Sequence, residues 1–245
     1  MIYSTILQFK KERKKGFAVL IDPDKVNWDT LSMLIQNSIH AKVSFFFIGG
    51  SLVSNYILEQ LIDYIKKTCS IPVVLFPGNN LHITSNADAI LFLSLISGRN
   101  PDFLIGHHVI AAPILKQSKI EIIPTSYLLI DGDKKTSVSY ISNTTPIPAD
   151  QINIAKCTAM AGEMLGHQLI FMDAGSGANN HVPVKMVFEV KKELNNPLII
   201  GGGINNANKA KLILEAGADM IVVGNGIEKN IGLIQEIGEV VNSFN

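Results

Sequence analysis

Eight apolar runs rich in β-forming residues recur along the chain of 245 residues: 17–22 (FAVLID), 43–49 (VSFFFIG), 72–76 (PVVLF), 89–95 (AILFLSL), 120–124 (IEIIP), 168–173 (QLIFMD), 197–202 (PLIIGG) and 220–224 (MIVVG). They are continuous rather than alternating, the pattern of parallel strands buried on both faces. Helical periodicity fills most of the gaps. Trp28, Leu31, Leu34 and Ile35 share one face, as do Ile57, Leu61 and Ile65, and Ile231, Ile234 and Val241. Asn205 is placed to cap a helix after GGGI, and Gly217 to stop one after KAKLILEA. Strand–helix alternation implies parallel units with right-handed crossovers. Eight such units without a composition break predict one domain, residues 1–245, closed as a (β/α)8 TIM barrel rather than an open doubly wound sheet.

Two stretches depart from the repeat. Residues 77–88 (PGNNLHITSNAD) are polar and carry no apolar stripe, so a loop is expected between strands three and four instead of a helix. Residues 125–150 lack a helical stripe and end in Pro146 and Pro148, which predicts a long loop over the barrel mouth.

Composition narrows the function classes. Apolar residues make up 47% and charged residues 17%, enough to build a large core. The 21 basic and 21 acidic residues balance, which argues against nucleic acid as a partner. Cys69 and Cys157 are far apart without metal-like spacing, the usage of a reducing cytoplasm. The basic cluster KKERKK (10–15) follows a short apolar patch, the reverse order of a secretory signal. It reads as a solvated helix face, with contact to an anionic membrane surface as the alternative. No apolar run approaches the roughly 18 residues that span a bilayer. A soluble, cytoplasmic protein is expected.

In such barrels chemistry gathers at the C-terminal strand ends. There the chain has GSG (175–177), GGG (201–203) and GNG (224–226) after three consecutive strands. Small residues let backbone N–H groups approach an anion, and helices starting at those turns would add positive dipole ends. A phosphate site is expected. Asp22 and Ser51, at the ends of strands one and two, suit Mg²⁺, which keeps waters and shares substrate phosphates; each could equally be a turn or helix cap. Lys25 could reach a phosphate or stay solvated, and Arg99 could contact an anion or lie on the surface. His107 and His108 are adjacent on a helix and should point apart; Met160 and Met164 read as core.

In order along the chain, LIDPDK, FIGGS, PVVLFPG, IPTSYLLI, FMDAGSGA, IIGGGI and ADMIVVGNGIE resemble the geranylgeranylglyceryl phosphate synthase family, which includes the bacterial PcrB-type heptaprenylglyceryl phosphate synthases. The IDPDK form is similar to the second, geranylgeranyl-making branch. The resemblance runs from strand one to strand eight and implies a barrel lacking its third helix. It also implies a reaction: the 3-hydroxyl of sn-glycerol 1-phosphate attacks C1 of a polyprenyl diphosphate, forming an ether and releasing diphosphate. It implies Mg²⁺ on Asp22 and Ser51, and glycerol phosphate against Phe171, Met172, Asp173, Ala174, Gly175, Ser176, Gly177, Gly201, Gly202, Gly203, Gly224 and Asn225. Asp173 would orient the nucleophile and accept its proton. Lys25, Arg99 and Tyr127 are assigned to the prenyl diphosphate side. A homo-oligomer, dimer or hexamer, is implied as well. Where the family has Tyr-Leu-Glu, this chain has Phe171-Met172-Asp173: the acid is one methylene shorter and the tyrosine hydroxyl is gone.

Three rival readings share the barrel. A sugar-phosphate isomerase or aldolase would want a second acid or base, or a strand-end lysine, and no strand supplies that lysine. A flavin oxidoreductase would use the glycine loops for flavin phosphate. A non-catalytic glycerol-phosphate or lipid-binding barrel would follow if the two motif changes abolish activity.

Overall fold

The computed structural model describes residues 1–54 and 57–245. Strands β1 (Gly16–Ile21), β2 (Phe45–Gly50), β3 (Val73–Pro77), β4 (Ala89–Leu95), β5 (Glu121–Leu129), β6 (Leu169–Asp173), β7 (Leu198–Gly201) and β8 (Met220–Val223) form a closed parallel barrel in sequence order. β1 closes it by pairing with both β2 and β8. The helices are α1 (Ile2–Glu12), α2 (Trp28–His40), α3 (Leu58–Thr68), α4 (His107–Ser118), α5 (Ser137–Ile141), α6 (Ile152–Met164), α7 (Val184–Glu193), α8 (Ala207–Glu215), α9 (Asn225–Lys229) and α10 (Leu233–Asn242). No helix lies between β3 and β4, where the polar segment crosses as turns.

Strand alternation sorts the core into two layers. Phe45, Phe47, Val74, Leu91, Ile123, Tyr127, Leu129, Leu169, Phe171 and Ile199 fill the barrel interior. Phe46, Ile48, Leu75, Leu128, Ile170, Met172 and Ile200 face the helix layer. α1 closes the N-terminal end: Ile2 and Ile6 join the interior cluster, and Glu121 at the start of β5 accepts the N–H groups of Ile2 and Tyr3. The basic cluster that follows lies at this end, opposite the glycine turns. Lys10 donates to the Asn195 carbonyl, and Lys15 donates to the Ala218 carbonyl at 2.6 Å.

Four expectations change. β5 does not end at Pro124; it runs to Leu129. The polar residues beyond Pro124 tolerate burial because each has a hydrogen-bond partner, Thr125 a local one and Ser126 a distant one. Thr125 Oγ1 donates to the Ile123 carbonyl at 2.8 Å, and Ser126 Oγ pairs with His167 Nδ1 at 2.7 Å. The stretch after β5 is not structureless either, since Thr136 and Ser139 cap α5 reciprocally and Ile147 bridges back to Ile130. Asn206, not Asn205, caps α8, accepting from the Lys209 N–H at 2.8 Å. Met164 stands 80% exposed at the end of α6, whereas Met160 is half-buried. Gly217 does end a helix, at φ +113°, after α8.

Candidate active site

Several cavities open at the C-terminal end of the barrel, one of them lined by Asp22, Lys25, Gly224 and Glu228; two others frame the site. The first is a cup between the turns after β6, β7 and β8. Asp173, Gly175, Ser176, Gly177, Gly202, Gly203, Gly224 and Asn225 line it together, with Lys134 and Lys229. Backbone geometry demands glycine at Gly202: its φ is +75°, and a Cβ there would stand 2.4 Å from Asp173 Oδ1 and 2.6 Å from the Gly175 nitrogen. The β7 turn thus lies flat on the Asp173 carboxylate. Asn225 faces Gly177 across the cup, its Oδ1 within 3.8 Å of where a Gly177 Cβ would be. Of the three turns, only the one after β8 runs directly into a helix; α7 starts at Val184 and α8 at Ala207. Glycine turns and the two lysines, rather than three helix dipoles, are therefore what this cup presents to an anion.

Several residues expected in the cup are not on its surface. Met172 and Ala174 turn their side chains into the helix layer, because period-2 alternation sends them outward when Phe171 and Asp173 point in. Phe171 lies under the cup, in the barrel interior.

The second cavity is an apolar groove that occupies the gap left between β3 and β4 and continues along α4. Gly50, Ser51, Gly78 and Asn79 stand at its polar end. Phe92, Phe103, His107, His108, Ala111 and Leu115 line its length, and Val138 and Ile141 of α5 cover it. His107 and His108 do not part company as expected: both line this wall. His107 meets the Phe103 ring edge-on at 4.9 Å, and buried His108 pairs its Nε2 with Ser94 Oγ at 3.1 Å. Burial lowers the His108 pKa and keeps the ring neutral.

The two cavities meet at one hydrogen bond. Tyr127, in the groove wall, donates its hydroxyl to Asp173 Oδ2 at 2.5 Å, while Asp173 Oδ1 accepts the Gly175 N–H at 2.7 Å. Burial raises the Asp173 pKa, and these two hydrogen bonds oppose the rise. The Tyr127 pKa stands well above its ordinary value, first through burial and then through the adjacent carboxylate. Tyr127 thus borders the groove with its ring and Asp173 with its hydroxyl. The Phe76 and Phe171 rings hold it there, at centroid distances of 6.0 and 5.6 Å.

Asp22 ends β1 and accepts the Asp24 N–H at 3.1 Å. A side chain at Gly50 would lie 3.6 Å from its carboxylate, so Asp22 stands over the end of β2, just before Ser51. Lys25 is half exposed and ion-paired: its amine lies 2.9 Å from Asp22 and 3.6 Å from Glu228. Among the described residues, no group of three or more His, Cys, Asp or Glu side chains is placed to hold a metal. One carboxylate beside one hydroxyl fits Mg²⁺ only if waters and substrate oxygens complete the shell, which is how Mg²⁺ is commonly bound. Arg99 is exposed and donates to the Gly98 carbonyl at 2.7 Å, lining neither cavity.

Lys134, Lys229 and Phe76 were not foreseen. Lys134 sits in a charged loop with no motif, and its Nζ donates to the Gly177 carbonyl at 3.2 Å. Phe76 was legible only as an apolar strand residue.

Comparison with known proteins agrees with this geometry. A geranylgeranylglyceryl phosphate synthase of Spirosoma linguale is 55% identical over 98% of this chain and 97% of its own length. One from Thermococcus kodakarensis is 38% identical over 98% and 95%. The crystal structure of (S)-3-O-geranylgeranylglyceryl phosphate synthase from Thermoplasma acidophilum, in complex with sn-glycerol-1-phosphate, superposes with a TM-score of 0.93 at 33% identity, covering 99% of both chains. Tryptophan synthase alpha subunits share the fold alone, at 13% identity and a TM-score of 0.59. The sequence model of the PcrB family matches residues 7–242, and the chain belongs to that family.

Proposed function

We propose that this chain is a prenyltransferase that joins the 3-hydroxyl of sn-glycerol 1-phosphate to C1 of geranylgeranyl diphosphate and releases diphosphate. The observation that carries the reading is the junction itself: a glycine-turn cup with two lysines in its wall and an apolar groove meet at the Tyr127–Asp173 hydrogen bond. A phosphate in the cup takes N–H groups of the glycine turns, with Lys134 and Lys229 adding positive charge. Its glycerol arm then reaches Asp173, and the prenyl tail lies in the groove with its diphosphate toward Ser51 and Asp22.

The chemistry follows from that placement. Allylic C1 becomes cationic as diphosphate leaves, so the nucleophile needs positioning more than activation. Asp173 orients the hydroxyl and accepts its proton as the C–O bond forms. Asp22 and Ser51 would hold Mg²⁺ together with water and diphosphate oxygens, and Mg²⁺ bound there supplies charge neutralisation to the leaving group. Lys25, already on Asp22, stands on the same side. Exposed apolar faces on α4 and on α6–α7 support assembly as a homo-oligomer. No described helix is long and apolar enough to cross a membrane.

The test is incubation with sn-glycerol 1-phosphate, labelled geranylgeranyl diphosphate and Mg²⁺. A butanol-extractable ether phospholipid is expected, lost on chelation, and Asp173→Ala should lower kcat by roughly 10²- to 10⁴-fold. No extractable product at any prenyl length would leave only a binding barrel.

A further inference from the structure

We propose that Tyr127 is the positioning residue of the junction: from β5 it fixes the orientation and ionisation of the Asp173 carboxylate that receives the nucleophile's proton. This rests on the reading of Asp173 as the base.

A carboxylate on a short side chain in an apolar interior can rotate about its terminal torsion unless both oxygens are tied. Here both are. Oδ1 takes the Gly175 N–H at 2.7 Å and Oδ2 takes the Tyr127 hydroxyl at 2.5 Å. The remaining lone pairs face the cup, where Asp173 forms part of the wall. Tyr127 is itself immobilised. It is 5% exposed and packs against Phe76 and Phe171, and its β5 position pairs in register with Phe171 of β6.

This arrangement also makes Tyr127 a donor and not a proton relay. Its ring lies in the groove wall among apolar residues, and its raised pKa keeps the hydroxyl protonated. In the reaction the glycerol O3–C1 bond forms and the C1–O bond to diphosphate breaks, its electron pair leaving with diphosphate. The O3 proton goes to the Asp173 carboxylate while the Tyr127 hydroxyl stays on Oδ2.

The surroundings contain little else that could set the Asp173 charge. β7 presents Gly201 and Gly202, the β6 turn presents Gly175, and β3 and β6 contribute Phe76 and Phe171. Lys134 and Lys229 stand in the cup wall. Tyr127 is the titratable group that touches the carboxylate.

The experiment compares pH–rate profiles of the wild type, Tyr127→Phe and the Tyr127→Phe/Phe171→Tyr double variant in full-length protein. Tyr127→Phe keeps the ring and its packing. It should lower kcat about 10- to 100-fold, the worth of one hydrogen bond to a charged group. Its acid limb in kcat/KM should move to higher pH, because a contact favouring the charged form is gone. The double variant returns a hydroxyl from β6. Phe171 Cζ and Asp173 Oδ1 border one point, 3.1 and 3.4 Å from where a Gly201 Cβ would be, so the double variant tests whether a hydroxyl on residue 171 replaces the lost contact. Its acid limb should return toward the wild-type position.

A structural role alone would leave the acid limb of Tyr127→Phe unmoved whatever its melting temperature, and that result overturns the proposal. Asp173→Asn, run in parallel, separates the two layers. An inactive Asp173→Asn with an unshifted Tyr127→Phe overturns the positioning role only; an active Asp173→Asn overturns the base as well.

Discussion

Asp173 is a carboxylate in a place that disfavours its charge. Burial raises its pKa, and the bonds from Tyr127 and Gly175 only partly restore it. The folded protein therefore binds this proton more tightly than the unfolded chain does. By linkage, the group's contribution to stability is largest at low pH, declines as pH rises from the unfolded to the folded pKa, and is flat above. Asp173→Asn cannot ionise, so the melting temperature of wild type minus that of the variant should fall across that window and then level off. A difference independent of pH throughout would mean that the carboxylate is not held protonated by folding. The same substitution should abolish turnover, which identifies a group retained for chemistry at the expense of stability.

At the scale of elements, the groove depends on how α4 lies along β4. The helix runs back down the barrel, so Leu115 is deeper than His107 by about 12 Å, eight residues at the helical rise. Ala111, 5% exposed and small, is the midpoint of that wall. Ala111→Trp should block the lower half, raise KM for geranylgeranyl diphosphate and shift the product toward shorter chains when donors of mixed length compete. An unchanged product spectrum by mass spectrometry would remove the tail from this groove. Much of this layer was legible beforehand. Continuous apolar runs marked the strands, and the polar segment after Pro77 marked the absent helix that leaves the groove open. β5 was less legible, since Pro124, Thr125 and Ser126 read as a strand end. Their tolerance comes from tertiary partners, the His167 ring above all, that no local pattern records. Losing the second half of β5, residues 125–129, from the reading also lost the junction, because Tyr127 meets Asp173 only once β5 and β6 are in register. Glycine spacing announced the cup; of the lysines in its wall, Lys134 is placed by a loop and Lys229 by the end of α9.

At the scale of the whole molecule, α4 has a second face. His108, Ala111 and Leu115 turn inward to the groove, while Ile105, Val109, Ile110 and Ile114 point outward at 59, 66, 57 and 50% exposure. Ile110 and Ile114, four residues apart, share one side of the helix, with Val109 beside them and Ile105 in the turn just before it. Ile154, Met164, Leu165 and Phe188 on and around α6 and α7 are exposed as well. Contiguous apolar surface of this kind is uncommon on a chain that works alone, and here it backs the wall of the prenyl groove. Assembly through α4 would brace that wall, coupling oligomeric state to prenyl binding and leaving the cup on the far side of the junction independent. Ile110→Asp places an unpaired charge in the centre of this face. It should sediment as a smaller species than the wild type, with kcat/KM for the prenyl donor reduced and KM for sn-glycerol 1-phosphate unchanged. A wild-type protein that sediments as a single chain at micromolar concentration would overturn assembly, and equal losses for both substrates would overturn the coupling.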